Sequence, residues 1–131
     1  MFASLFVLLY VAHLLADYPL QTDHQAAHKA SGGWAGWSAN AHHAATHIVT
    51  CGAALLAGAA LLDDVDISMP VAVGALVWIG ATHAVIDRRW PVQWWMHHTG
   101  QSQWAQHGGA AHVDQAAHVA ALLVAALALS A

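Results

Sequence analysis

Each of the four long apolar stretches of this chain carries one pair of metal-ligand-type residues spaced four positions apart. The pairs are His13 with Asp17, His43 with His47, His83 with Asp87, and Asp114 with His118. Residues i and i+4 of a helix share one face, and their Cβ atoms lie about 5–6 Å apart. Each pair can therefore present two ligands to one ion. Together the four pairs predict a metal site inside a helix bundle.

The composition indicates that this bundle is surrounded by lipid. Of the 131 residues, 59% are hydrophobic and 8% are charged, whereas soluble domains carry about 25% charged residues. A transmembrane helix needs about 20 mostly apolar residues, so the length predicts one integral membrane domain, residues 1–131, with four spans. The few basic residues argue against nucleic acid as a partner. The single cysteine, Cys51, excludes a sulfur-rich metal site.

The predicted fold class is all-α, a four-transmembrane-helix bundle. Its helices cover about residues 2–18, 41–62, 69–88 and 111–131. Pro19 ends the first helix, because proline disfavours helical geometry in the residue before it. Ser38 or Asn40 is the predicted N-cap of the second, since both residue types favour that position. The small residues of the spans allow close packing in lipid, which leaves a homo-oligomer open.

The basic residues predict the orientation of the bundle. Lys29, Arg88 and Arg89 lie in or beside the connections that join helices one to two and three to four. Cytoplasmic loops carry an excess of Lys and Arg, so these connections are predicted inside and both termini outside. All four pairs then lie at one depth near the cytoplasmic face. Six tryptophans in the same two connections predict an interfacial aromatic belt.

Imidazole and carboxylate ligands suit Zn²⁺ best, and they also suit Mn²⁺ or Fe²⁺. Eight ligands exceed the four of one tetrahedral Zn²⁺, so two ions, bridged by an Asp, are a further expectation. Some of the eight residues can instead orient a ligating histidine. A buried polar network without metal is the alternative, but an unpaired carboxylate in a membrane costs at least ~2.5 kcal/mol. Haem ligation by two histidines would not need the Asp partners.

Four polar residues beside the pairs are candidates for substrate binding or for hydrogen bonds to the ligands. They are Gln21, Lys29, Arg88 and Gln115. An arginine can hold a phosphate oxygen pair through its two parallel N–H donors. For Gln21, Gln115 and Lys29, hydrogen bonds to lipid headgroups or backbone are equally open. For Arg88 and for Arg89 beside it, a plain topological role is favoured over a phosphate contact. The remaining histidines are expected to be solvated or interfacial.

The motifs resemble those of a family of small bacterial and phage membrane proteins of unknown function. The resemblance is carried by HLLADYPLQTD from His13 to Asp23, by Lys29, by His43 and His47, by HAVID from His83, and by DQAAH from Asp114. It implies an integral membrane protein, which we place in the bacterial inner membrane. It also implies metal-ligand roles for His13, Asp17, His47, His83, Asp87, Asp114 and His118, with His42 as an alternative to His43. The helix-end pairs are more distantly similar to membrane-bound metal-dependent hydrolases.

Two classes of function follow. In the first, the protein is a metal-dependent hydrolase that acts near the cytoplasmic face on a lipid-like or phosphoester substrate. Because the chain has no Glu, one of Asp17, Asp87 and Asp114 would act as the general base. In the second, the protein binds metal without turnover, as a structural, metal-handling or partner-binding module. The nearly apolar outer halves of the helices disfavour metal transport across the membrane.

Overall fold

A computed structural model describes residues 1–131, and all of its regular structure is helical. The helices are α1 (Phe2–Asp17), α2 (Asp23–His28), α3 (Gly33–Leu61), α4 (Met69–Ile86), α5 (Trp90–His98) and α6 (Ser102–Ser130). Helix α6 bends where His107 and Gly108 leave helical geometry, and its straight part is Ala110–Ser130. The prediction of an all-α fold is confirmed.

Helices α3, α4 and α6 are each long and apolar enough to cross a membrane, and α1 is a shorter apolar helix. The 16 residues of α1 span about 24 Å at 1.5 Å per residue, less than the ~30 Å hydrocarbon core of a bilayer. That all four helices cross the membrane therefore stays a prediction. These four helices form a ring in which α1 and α4 both contact α3 and α6.

The end of the bundle opposite the predicted pairs has an apolar interior. Its buried side chains come from all four long helices, and they include Leu5, Leu9, Cys51, Leu55, Ile79, Leu122 and Leu129. Beyond them, Ser4 donates a hydrogen bond to Asp64 at 2.6 Å. This core offers no polar route from the predicted metal site to the far end, which agrees with the expectation drawn from the apolar helix halves.

Helix α3 begins at Gly33, well before the predicted start at residue 41. Asn40 is 1% exposed inside the helix, and its amide donates to the Ala84 carbonyl of α4 at 3.1 Å. It is therefore not an N-cap. Asparagine is unfavourable in helix interiors because it competes for backbone hydrogen bonds, and here a partner on another helix satisfies it.

The two connections predicted as polar loops contain the short helices α2 and α5. Thr22 and Gln25 form a capping box that starts α2, a sequence signal for a helix N-terminus. Helix α5 buries Val92 and Met96 and exposes its tryptophans, as expected of a helix lying at a membrane interface. The six tryptophans predicted to form the belt are all exposed, namely Trp34, Trp37, Trp90, Trp94, Trp95 and Trp104.

Substituting Gly36 is expected to strain the junction between α2 and α3. A Cβ at this position would collide with the backbone carbonyl of Ser31, which cannot rotate away as a side chain can. We expect Gly36→Ala to lower the free energy of unfolding by about 1–3 kcal/mol, measured by denaturation in detergent. Gly74→Ala is the control, because nothing lies within 4 Å of its added Cβ and alanine favours helix by up to about 1 kcal/mol. Equal stability of both variants would contradict the close approach at Gly36.

Candidate metal centre

The structure brings the four sequence pairs together in the bundle interior, at the end that carries α2 and α5. Helices α1 and α4 end with their pairs. The pair of α3 lies in the first half of that helix and the pair of α6 near the start of Ala110–Ser130, so alternating chain directions place all four at one depth. Seven of the eight residues are buried: His13, Asp17, His43, His47, His83, Asp87 and His118. The eighth, Asp114, is at the edge, with 24% of its side chain exposed.

Asp17 of α1 lies at the centre of the first part of the cluster. Its Oδ1 atom is 3.2 Å from Nε2 of His43 and 3.2 Å from Nε2 of His47, both on α3. The same oxygen is 3.8 Å from Nε2 of His83 on α4. One carboxylate oxygen therefore faces three imidazole nitrogens from two other helices.

Asp87, which follows α4 directly, lies at the centre of the second part of the cluster. Its Oδ2 atom is 3.1 Å from Nε2 of His83, 3.5 Å from Nε2 of His43 and 3.1 Å from the Lys29 ammonium. Its Oδ1 atom is 3.7 Å from Nε2 of His118 on α6. Asp87 thus meets donors from three other segments of the chain.

The ligand atoms form two overlapping groups, and within each all atoms lie within 4.8 Å of one another. The first is Asp17, His43, His47 and His83; the second is His83, Asp87 and His118. Two ligand atoms 2.0–2.1 Å from a tetrahedral Zn²⁺ are roughly 3.3 Å apart, close to the separations around Asp17. A neutral imidazole has one free lone pair, so His83 can ligate only one of two ions.

Several buried atoms of the cluster lack a hydrogen-bond partner. They include Nε2 of His13, Nε2 of His83 and Oδ2 of Asp87. Oδ2 of Asp87 lies 3.1 Å from Nε2 of His83 and 3.1 Å from the Lys29 ammonium, but neither contact has the orientation of a hydrogen bond. Buried polar atoms nearly always have a partner, and a cation among these atoms would supply one. Nδ1 of His43 and of His47 is also unpartnered, so it can carry the ring proton when Nε2 binds metal. The residues present therefore fit a divalent cation.

His13 lies against the cluster without belonging to either group. Its Nε2 atom is 3.1 Å from Oδ2 of Asp17, and its ring packs 5.0 Å from that of His47. The two candidate glutamines also contact Asp17. Gln115 donates to its Oδ2 at 3.3 Å, and Gln21 donates to its backbone carbonyl at 2.6 Å. The two glutamines hold the Asp17 side chain and backbone in place, whereas Nε2 of His13 makes no hydrogen bond.

The two basic candidates differ in role. Lys29 points into the cluster, with Nζ 3.1 Å from both Nε2 of His43 and Oδ2 of Asp87. Arg88 turns away from it. Its guanidinium donates to the carbonyls of Lys29 and Ser31 at 2.9 and 2.8 Å and lies 4.4 Å above the Trp37 ring. Arg88 therefore fixes the segment that carries Lys29.

A cavity of about 390 Å³ opens beside the second group. It is lined by Lys29, Asp87, Arg89, Val92, Gln93, Ala110, Ala111 and Asp114. Sequence reasoning weighed Arg89 as a phosphate contact but favoured a role as a topological anchor, and it did not consider Gln93. No local motif marks either residue, because the cavity forms only where α5 packs beside the start of straight α6. The cavity gives the His/Asp cluster a polar opening at the end of the bundle that carries α2 and α5.

Residues 5–131 match the sequence model of one protein family, described as a protein of unknown function. The chain belongs to the DUF3307 family. Membership of DUF3307 confirms the predicted family of unknown function and assigns no activity. Comparison with curated proteins and with solved structures gave no match. The more distant resemblance to metal-dependent hydrolases stays a prediction.

Proposed function

We propose that this DUF3307 protein binds one or two divalent cations at the cytoplasmic end of a four-span membrane bundle. The observation that carries the proposal is the convergence of buried imidazole and carboxylate atoms from four helices. Such a donor set suits Zn²⁺ and, with the same atoms, Mn²⁺ or Fe²⁺. Lys29, Arg88 and Arg89 lie at the same end of the bundle, which supports a cytoplasmic location.

The two ligand groups differ in how complete they are. Asp17, His43, His47 and His83 supply four donors, the number found in closed structural zinc sites. If His83 serves that ion, the second group retains Asp87 and His118. Asp114 lies outside this group at the edge of the cluster, with its Oδ2 atom 3.5 Å from Nε2 of His118. Fewer than four protein donors leave an open position, as in catalytic zinc sites.

We infer that the second group supports hydrolysis of a phosphoester or acyl bond in a lipid-like substrate. A bound divalent cation supplies Lewis acidity and lowers the pKa of water to about 7. Asp114 is the best general base among the three candidates. Asp17 and Asp87 belong to the ligand groups, whereas Asp114 lies outside both, is partly exposed and lines the cavity. A general base contributes about 10²–10⁴-fold to the rate.

Replacing Asp114 is expected to separate catalysis from metal binding. Asp114→Asn should retain the ions held by the buried donors and lose at least about 100-fold in hydrolysis rate. The measurement combines elemental analysis of detergent-purified protein with a screen of chromogenic phosphoesters and esters. Asp63→Asn is the matched control, because Asp63 is an exposed carboxylate outside the site. Unchanged hydrolysis by Asp114→Asn would exclude it as the base.

The alternative is a metal-binding membrane protein without turnover, and the four-donor first group favours it. A closed site stabilises the fold, because the metal binds the folded chain and not the unfolded one. Under this alternative, chelation lowers the unfolding temperature, and the metal-loaded wild type hydrolyses no substrate in the screen. The apolar core below the site gives no support to transport of the metal across the membrane.

A further inference from the structure

The cavity beside Asp87 concentrates the positive charge of the chain. The sequence has three basic residues, and two of them, Lys29 and Arg89, line this cavity. The third, Arg88, holds the Lys29 segment through two backbone carbonyls. All three basic side chains thus build or support one polar opening, which can hold an anion where the charges of Asp87 and Asp114 are offset.

The backbone at Arg89 adopts a left-handed conformation that is unfavourable for a residue with a side chain. Arg89 is the one non-glycine residue with positive φ, at φ 64° and ψ −29°. The Trp90 N–H donates to the Arg88 carbonyl at 2.7 Å, closing a three-residue turn around Arg89. Such γ-turns are rare and strained, and glycine would adopt this φ at no steric cost. Strain of this kind clusters at ligand-binding positions, so the guanidinium itself points to a ligand.

An apolar groove of about 470 Å³ lies between α4 and α6, close to the polar cavity. It is lined by nine residues, among them Trp78, Val85, Ile86, Ala117, Ala120 and Val124. Val85 and Ile86 directly precede Asp87 of the cavity, and Ala117 follows Asp114 by about one helical turn. A molecule with its polar group in the cavity can therefore lay an apolar chain in the groove.

We propose that the cavity and the groove together bind a phosphate-bearing amphiphile from the bilayer. Its phosphate lies between Lys29 and Arg89, and one acyl chain lies along the groove. The guanidinium fork pairs with two phosphate oxygens, and the lysine adds a point charge. The carboxylates of Asp87 and Asp114 would repel this phosphate, so its binding depends on a divalent cation that offsets their charge. A role of the amphiphile as substrate rests on the proposed function, whereas its binding as a ligand is tested separately.

The test titrates short-chain phosphatidic acid into detergent-purified protein and follows tryptophan fluorescence. Diacylglycerol of the same chain length is the comparator without phosphate. We expect phosphatidic acid to bind more tightly, and Arg89→Gly to weaken it by about tenfold or more, as for loss of a charged hydrogen-bond donor. The affinity of Arg89→Lys for phosphatidic acid should lie between those of wild type and Arg89→Gly, because lysine keeps the charge but not the two parallel donors of the guanidinium. Arg89→Gly should unfold at the same or a higher temperature, since glycine removes the strain.

A second pair of variants tests the groove. Ala120→Phe places a large side chain in it and should weaken phosphatidic acid binding, without altering the weaker binding of inorganic phosphate. Leu123→Phe is the matched control, because Leu123 is 41% exposed on the same helix and is not a groove residue. Equal effects of the two phenylalanine variants would overturn the groove as an acyl-chain site.

Metal content, measured on each preparation, separates the two proposals. If Arg89→Gly retains its metal and binds phosphatidic acid as the wild type does, the amphiphile site is overturned and the metal centre stands. If inorganic phosphate binds as tightly as phosphatidic acid, the ligand is a soluble phosphate compound and the amphiphile is again overturned. If the wild type holds no metal but its lipid binding depends on Arg89, the proposed function and the requirement for a cation both fail, and the binding site at Arg89 is supported.

Discussion

A variant that combines His83→Ala and Asp87→Ala is expected to lose all stoichiometric metal. His83 belongs to both donor groups, and Asp87 is the carboxylate of the second. Structural Zn²⁺ binds zinc-finger peptides with about 10–16 kcal/mol, so losing one donor from each group costs several kcal/mol per ion and lowers each affinity by orders of magnitude. The measurement is elemental analysis of protein purified in detergent without chelator, before and after reconstitution with Zn²⁺, Mn²⁺ or Fe²⁺.

The matched control exchanges the same residue types outside the site. His97→Ala combined with Asp63→Ala removes one exposed histidine and one exposed aspartate, so it should keep the full metal content. Metal retained equally in both double variants would disprove the site. A wild type that neither carries metal nor takes it up would leave the cluster as a buried hydrogen-bonding network.

Replacing Lys29 is expected to destabilise the metal-free protein and to tighten metal binding. Nζ of Lys29 lies between His43 and Asp87, and the side chains of Lys29 and Asp87 are 15% and 4% exposed. Lys29→Met keeps much of the side-chain bulk but leaves a buried carboxylate without its cation, which typically costs about 3–5 kcal/mol. A metal ion that binds Asp87 must displace the ammonium, so removing this competitor favours the metal.

Thermal unfolding in chelator and in excess Zn²⁺ measures both effects. In chelator, the unfolding temperature of Lys29→Met should be well below that of wild type. In excess Zn²⁺, this difference in unfolding temperature should disappear or change sign. Lys29→Arg is the control, because it keeps a cation at the same position. A Lys29→Met variant as stable as wild type in chelator would show that the ammonium does not balance Asp87.

The donors of the site were predictable from sequence because helical periodicity is a local property. An i, i+4 pair such as His13 and Asp17 faces one direction in any α-helix, whatever surrounds it. The start of α3 was not predictable in this way. Asn40 is typical of a helix N-cap, but the Ala84 carbonyl of a neighbouring helix satisfies its amide in the helix interior. A partner 44 positions away leaves no local signal.

The sequence by itself determined the helical class, the apolar composition, the His and Asp side chains that could act as donors and the end of the bundle at which they meet. These depend on hydropathy, helical period and chain direction, all of which can be read within one segment. Only the tertiary structure decided that the candidate donors divide into two groups sharing His83 and that Lys29 lies between His43 and Asp87. It also decided that Asp114 lies at the edge of the cluster and that Arg89, which adopts a strained turn, lines a cavity. Those features depend on the rotation of each helix about its axis and on the backbone of the connections, because they are set by packing between residues far apart in the chain.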